Sequence, residues 1–160
     1  MLNIIRNLDF EIKTKFLEYI QKDGLYISNK QGVSRSNYHT NSYDDEMVNL
    51  YKKYLYPVLK NVLNYEFKMN CIWYHVYSKN SNSYYDFHTH VDKDCHLCAV
   101  YYLKMKSKDI STQFLIDGQK IRLDVMEGDL VLFDARIPHA SPPNNTDTDK
   151  IIVSFNLDCR

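Results

Sequence analysis

Residues 127 to 133 read Glu-Gly-Asp-Leu-Val-Leu-Phe, a polar turn that leads into a short apolar run. Runs of this kind, rich in β-branched and aromatic residues and separated by polar turns, recur from about residue 65 to residue 157. This pattern is typical of an all-β sandwich or barrel. We therefore predict about eight strands, which cover Glu66–Tyr77, Tyr84–His90, Leu97–Lys104, Thr112–Ile116, Lys120–Val125, Leu130–Phe133, Pro138–Ser141 and Lys150–Leu157.

The first 64 residues carry a helical pattern instead. Apolar residues recur at three- and four-residue steps from Phe10 to Ile20, and Asp23-Gly24 ends this helix. A longer helix follows from Ser42, and Pro57 is expected to kink or split it. We predict one α+β domain over residues 1–160, in which a helical part (1–64) packs on a double-stranded β-helix (65–160), a jelly-roll, cupin-like fold.

The composition excludes several classes of function. The 160 residues include 20 Lys and Arg and 20 Asp and Glu, so the formal net charge is +0. Such a chain has no general positive field for nucleic acid, which disfavours a nucleic-acid partner. No segment approaches the roughly 18 apolar residues that span a bilayer, and the N-terminus lacks a secretory pattern. We expect a soluble, cytoplasmic protein without a membrane partner.

Histidines cluster in the β part of the chain. Residues 87–92 read Phe-His-Thr-His-Val-Asp, so the period of a strand places His88, His90 and Asp92 on one face. His139 follows on a distant predicted strand. Two histidines and one carboxylate on one face leave positions on Fe(II) open for a cosubstrate and O₂. The sequence therefore predicts a metal site, whereas we expect the isolated His75 and His96 to be structural.

The order of these motifs resembles a known family. The resemblance is to the Fe(II)/2-oxoglutarate-dependent oxygenases, and within them to the small phage and marine-bacterial members related to prolyl hydroxylases. Ser28–Gly32 with Ser36-Asn37 is similar to the N-terminal region of that group. The stretches that carry the resemblance, between about residues 28 and 157, also include His88-Thr89-His90, His96–Leu103, Glu127–Phe133, Pro138-His139 and Lys150–Asn156.

The resemblance implies metal ligands residue by residue. His139 takes the place of the distal ligand, and His90 belongs to the proximal pair. Two registers remain open for that pair. The chemistry of Fe(II) favours His90 with Asp92, whereas the spacing to the neighbouring strands favours His88 with His90, which gives a three-histidine site.

The resemblance also implies a site for 2-oxoglutarate. Lys150 stands where the family places the cation that pairs with the distal carboxylate of this cosubstrate. Ile152 stands where many relatives have a serine that makes a second contact. Tyr102, and with it Tyr77, matches tyrosines that hydrogen-bond the same carboxylate. In a different register the cation is Arg122 or Arg136.

The activity implied is that of a dioxygenase. It hydroxylates a C–H bond of a peptidyl (prolyl-type) or small-molecule substrate, releases succinate and CO₂, and uses ascorbate as a reductant. Two alternatives remain open: a three-histidine cupin dioxygenase that needs no 2-oxoglutarate, and a non-catalytic jelly-roll binding module. Lys150 discriminates the two enzyme classes, because the cupin has no distal carboxylate to bind.

Overall fold

Helices near the N-terminus are followed by a body of strands. The computed structural model describes residues 1–23, 35–38, 44–91 and 95–159. The helices among them are α1 (Phe10–Asp23), α2 (Asp45–Leu50), a π-helical turn (Tyr51–Leu55), α3 (Tyr56–Val62) and a 3₁₀ turn (Lys108–Ile110). The strands are β1 (Leu2–Ile5), β2 (Arg35–Ser36), β3 (Phe67–Tyr77), β4 (Tyr85–His88), β5 (Leu97–Lys104), β6 (Gln113–Ile116), β7 (Gln119–Arg122), β8 (Leu130–Asp134), β9 (His139–Ser141) and β10 (Lys150–Cys159).

The strands form two antiparallel sheets. The larger has six strands in the order β1-β8-β5-β10-β3-β2, and the smaller has four in the order β4-β9-β6-β7. Neighbours that are distant in sequence, such as β8, β5, β10 and β3, are the mark of a jelly roll rather than a meander. The predicted α+β class and its jelly-roll body are confirmed. No helix among the described residues is long and apolar enough to cross a membrane.

Both faces of the six-stranded sheet are buried. Successive residues of a strand point to opposite faces, and in β5 every residue from Leu97 to Leu103 is buried. Tyr101 packs against the helices, with its ring 6.3 Å from that of Phe16. Tyr102 belongs to the second core, between the sheets, together with Phe114 and Phe133. The helices thus cover the outer face and leave the inner face to form a cavity.

The helix predicted from Ser42 onward runs without a break from Asp45 to Val62, but its middle is a π-helical turn. Ser42 itself lies outside the described residues. Its N-terminus is capped by Asp44, whose carboxylate accepts a hydrogen bond from the Met47 amide at 3.1 Å. A π-helical turn precedes Pro57, and in it the amide of Tyr56 donates to the carbonyl of Tyr51. Because proline has no amide hydrogen, a wider turn beside it accommodates the missing bond. The interruption expected at Pro57 therefore lies just before it.

The structure differs from the sequence prediction in its first part. The residues between 1 and 64 include two short strands, β1 and β2, where only helices are predicted. Strand β1 is an edge strand of the large sheet and pairs with β8, from Leu2 opposite Phe133 to Ile5 opposite Leu130. A four-residue apolar run carries too little pattern to predict such pairing. Ser28–Gly32 lie outside the described residues.

Asp129 holds the N-terminal strand to the body. Its carboxylate is buried and accepts hydrogen bonds from the amides of Asn7 and Met126, both at 3.0 Å. The Arg6 guanidinium lies 2.7 Å from the same carboxylate. Charge-assisted bonds to a buried carboxylate are the strong ones, so Asp129 fixes both β1 and the turn before β8.

We expect Asp129→Ala to lower the free energy of unfolding by about 2–4 kcal/mol, because the amides of Asn7 and Met126 and the guanidinium of Arg6 lose a buried, charged acceptor. Urea denaturation measures this. Asp124→Ala is the matched control, since that carboxylate is 78% exposed and pairs with Lys108 at the surface; it should change stability by less than about 0.5 kcal/mol. Equal losses in the two variants would contradict the anchoring role.

Candidate metal centre

Three histidines meet at one end of the small sheet. His88 is the last residue of β4 and His139 is the first of β9, and the two are register partners in antiparallel strands. His90 lies two residues beyond β4, where its amide donates to the Ala135 carbonyl at 3.0 Å. Strand pairing therefore brings His139, distant in sequence, beside the His-x-His pair.

The ligand atoms of His88, His90 and His139 all lie within 4.8 Å of one another. The ring centroids are 4.9 Å apart for His88 and His90, 4.3 Å for His88 and His139, and 5.2 Å for His90 and His139. Such a cluster can hold a metal ion. Asp92, the fourth candidate ligand, lies outside the described residues.

Two of these rings are oriented by backbone carbonyls. Nδ1 of His88 lies 2.8 Å from the Asp86 carbonyl, and Nδ1 of His139 lies 3.0 Å from the Ile137 carbonyl. Because a carbonyl only accepts, each Nδ1 carries the hydrogen. The Nε2 of each neutral ring is then the atom with a free lone pair, which is the arrangement that suits metal ligation.

Burial lowers the pKa of two histidines of the cluster. His139 is buried, and burial, with a smaller effect of the nearby His88 and His90, lowers its pKa to about 3. Burial also lowers the pKa of His88. Since a metal binds the neutral imidazole, both rings are in the ligand form near pH 7.

The cluster opens into a cavity between the two sheets, with about 410 Å³ of atom-free space including its mouth. Its wall is largely aromatic and apolar, with a few hydroxyl and amide groups. The residues that line it are Trp73, His75, Tyr77, Tyr85, His88, His90, Cys98, Ala99, Val100, Thr112, Phe133, His139, Ala140, Ser141, Ile152, Ser154 and Asn156.

Lys150 lies directly behind this wall with a side chain that is wholly buried. Its Nζ donates to the Ile110 carbonyl at 2.6 Å and to Ser141 Oγ at 2.7 Å, and it lies 4.9 Å from the centre of the Tyr77 ring. Among the described residues no carboxylate forms an ion pair with it. Burial, with a smaller effect of Arg122, lowers the pKa of Lys150 to about 7.

The two predicted tyrosines have different surroundings. Tyr77 lines the cavity next to Ser141, whereas Tyr102 lies behind it. The Tyr102 hydroxyl donates to Thr112 Oγ1 at 2.7 Å and accepts from the Thr112 amide at 3.1 Å. Burial raises the pKa of Tyr102 to about 12, so this hydroxyl stays protonated. Tyr102 does not line the cavity, but its hydroxyl is hydrogen-bonded to Thr112, which does.

The alternative cations face solvent. Arg136 is exposed and pairs with Asp134 at 2.6 Å, and Arg122 is exposed on β7. Neither lines the cavity. Of the histidines expected to be structural, His96 is half exposed and lies 3.1 Å from Asp158. His75 does line the cavity, where its Nε2 accepts a hydrogen bond from the Trp73 indole at 3.0 Å.

Several cavity residues are not predicted from the sequence. Ser141 supplies the hydroxyl contact to Lys150 that Ile152 cannot make. Asn156 lies next to His90, with Nδ2 of its amide 3.5 Å from the ring Nδ1. A signal for it was available: residues 150, 152, 154 and 156 share one face of β10, and the first of them is the predicted cation.

The comparisons with known proteins rest on structure. No protein-family model matches the chain, and no curated protein matches it in sequence. Among solved structures, the chain resembles a prolyl hydroxylase from Trichoplax adhaerens in complex with a hypoxia inducible factor peptide fragment, at 17% identity and a TM-score of 0.68, covering 98% of this chain and 83% of the other.

Two further solved structures are similar to this chain. The non-heme alpha ketoglutarate dependent epimerase SnoN of nogalamycin biosynthesis matches with a TM-score of 0.77 at 13% identity, over 98% of this chain and 76% of SnoN. HygX from Streptomyces hygroscopicus, solved with nickel and 2-oxoglutarate bound, matches with a TM-score of 0.69 at 14% identity, over 98% and 82%. At these identities the likeness establishes the fold. The resemblance drawn from the sequence is confirmed at that level.

The lowered pKa of His139 predicts that the metal-free protein becomes less stable as the pH falls. Because the pKa of His139 is lowered to about 3 in the fold, against about 6.5 in an unfolded chain, the unfolded state binds more protons between these values. The free energy of unfolding should therefore fall as pH drops from 6.5, by up to about 2 kcal/mol at pH 4.5. Urea denaturation at several pH values measures the slope.

His139→Gln should flatten this pH dependence, because glutamine does not titrate. His96→Gln, which changes an exposed histidine outside the cluster, should leave it as it is in the wild type. An equally steep acid loss in His139→Gln would contradict the assignment.

Proposed function

We propose that this protein is an Fe(II)- and 2-oxoglutarate-dependent oxygenase. One observation carries the proposal: a wholly buried ammonium, with no anionic partner among the described residues, lies behind the same cavity that holds a cluster of three histidines. When bound, Fe(II) with 2-oxoglutarate supplies the activation of O₂ and the oxidation of a C–H bond, with release of succinate and CO₂.

The histidine cluster fits the metal. His88, His90 and His139 would hold it, since two of the rings already present Nε2 and burial keeps them neutral. Imidazole nitrogens suit iron and other first-row metals. Asp92 remains the alternative proximal ligand. A protein that supplies only three ligands leaves positions for a chelating cosubstrate and O₂.

Lys150 fits the cosubstrate. A buried ammonium is costly unless an anion accepts its hydrogen bonds, and the distal carboxylate of 2-oxoglutarate is such an anion. Ser141, which lines the cavity and accepts from Nζ, marks where that carboxylate would approach. The hydroxyls of Tyr77 and Thr112 lie on the same part of the wall, and Tyr102 would act by orienting Thr112.

The rest of the wall would exclude water and hold the substrate. Trp73, Tyr85 and Phe133 bring aromatic surface to the histidines, and no charged side chain is among the lining residues described. We therefore propose that the part of the substrate that enters the cavity is uncharged. We propose a peptidyl residue or a small molecule; the peptide fragment bound by the Trichoplax prolyl hydroxylase supports the first. We place the reaction in the cytoplasm, where 2-oxoglutarate and reduced iron are supplied.

The direct test is succinate formation. Protein incubated in air with Fe(II), 2-oxoglutarate and ascorbate should release succinate, at a rate that increases with a suitable peptide or small molecule. His139→Ala should release none. Oxygen uptake that is independent of 2-oxoglutarate would favour the three-histidine cupin. Absence of both metal binding and oxygen uptake would favour the binding module.

Metal binding distinguishes the ligands. Titration with Mn(II), an inert substitute for Fe(II), should give one site in the wild type and none in His139→Ala or His90→Ala, because each removes a ligand common to both registers. His88→Ala and Asp92→Ala decide the register, since the true third ligand should cost most of the affinity. His96→Ala is the control and should bind as the wild type does. Stoichiometric, tight Mn(II) in His139→Ala would contradict the site.

Lys150 should set the affinity for 2-oxoglutarate. In thermal unfolding of the Mn(II)-loaded protein, Lys150→Met should need roughly 10- to 150-fold more 2-oxoglutarate for the same stabilisation, because one charge-assisted contact of about 1.5–3 kcal/mol is lost. Without 2-oxoglutarate, Lys150→Met should be at least as stable as the wild type, because an unpaired buried charge is removed.

The control for this experiment is Lys106→Met, which removes an exposed ammonium paired with Asp147. It should keep the wild-type response to 2-oxoglutarate. An unchanged response in Lys150→Met would contradict the role of Lys150, since the exposed Arg122 and Arg136 do not line the cavity.

A further inference from the structure

Asn156 lies beside His90, the third histidine of the cluster. His88 and His139 each have Nδ1 at a carbonyl, of Asp86 and Ile137. Nδ1 of His90 instead lies 3.5 Å from the side-chain amide of Asn156. This amide comes from β10 and lines the cavity.

The amide of Asn156 has an unused acceptor. The residue is 6% exposed, and its Oδ1 is buried with no hydrogen-bond partner among the described residues. Oxygen and nitrogen of an amide are nearly equal in size, so rotation about the last side-chain bond exchanges them without other movement. Turned in this way, Oδ1 faces Nδ1 of His90.

We propose that Asn156 is a positioning residue that sets the tautomer of His90. Its Oδ1 accepts the Nδ1 hydrogen, which leaves Nε2 of His90 with the lone pair that a metal needs. All three rings then carry their hydrogen on Nδ1, two held by backbone carbonyls and one by this amide. The inference rests on the metal role proposed above for His90, and it assigns the acceptor that orients that ring.

The opposite orientation of the amide has a clear consequence. With Nδ2 donating to Nδ1 of His90, the hydrogen of the neutral ring must sit on Nε2, where it blocks ligation at that atom. The orientation of the Asn156 amide therefore determines whether Nε2 of His90 has a free lone pair in the metal-free protein. Outer contacts of this kind typically change metal affinity by 10- to 100-fold.

The test uses the whole protein and three variants. Asn156→Leu has a similar shape without an acceptor, Asn156→Asp keeps the acceptor, and Ser154→Ala is the control, because Ser154 also lines the cavity from β10. The first measurement is the His90 tautomer in metal-free, ¹⁵N-histidine-labelled protein at pH 8.5 by long-range ¹H–¹⁵N correlation. The second is Mn(II) affinity by calorimetry.

We expect His90 to carry its hydrogen on Nδ1 in the wild type, in Asn156→Asp and in Ser154→Ala, and to shift toward Nε2 in Asn156→Leu. Mn(II) affinity should fall about 10- to 100-fold in Asn156→Leu and return in Asn156→Asp. A general structural disturbance would lower affinity without moving the tautomer.

Two outcomes separate this inference from the proposed function. If Asn156→Leu keeps the wild-type tautomer, the inference is wrong, whatever the protein does with metal. If the wild type binds no Mn(II) while the tautomer shifts as expected, the metal role is wrong and the hydrogen bond between Asn156 and His90 stands.

Discussion

Burial of the six-stranded sheet on both faces is the constraint that arranges the other elements. Strand β5 is apolar on each side, and every residue of β10 from Lys150 to Asp158 is buried, so neither face of these strands meets bulk water. The helices cover the outer face, where Phe16 and Tyr101 pack edge to face. The small sheet covers the inner face only in part. The space left between the sheets is the cavity, and polar side chains from β3, β4, β9 and β10 line it.

The histidines that line this cavity and the lysine behind its wall respond differently to burial. The histidines lose nothing by being neutral, because a neutral imidazole is a complete hydrogen-bonding group and a metal ligand. The ammonium of Lys150 is penalised, since its described partners, Ile110 and Ser141, are uncharged. The lowered pKa of Lys150 expresses that penalty. A histidine cluster beside a cation with no anionic partner among the described residues would suit a metal chelated by a dicarboxylate, which is the basis of the proposed function.

Much of this could be predicted from the sequence, because strand period and turn residues are local signals. The bounds of β5 match their prediction, and the rings of His88 and His90 lie 4.9 Å apart, although His90 lies beyond the end of β4. Contacts between distant strands could not be predicted in the same way. That Ser141 would meet Lys150 depends on how β9 lies against β10, and that Asn156 would meet His90 depends on how the segment after β4 lies against β10. Strand β1 was missed because its stability comes from pairing with β8 and from Asp129.

The central claim is that the histidine cluster and the buried ammonium form one site. Calorimetric titration of 2-oxoglutarate into the protein with and without Mn(II) tests it most directly, because the ligand must touch both parts to bind well. The account predicts stoichiometric binding in the presence of Mn(II), and binding weaker by at least an order of magnitude without it. Equal affinity in the two titrations, or no binding in either, would contradict the account.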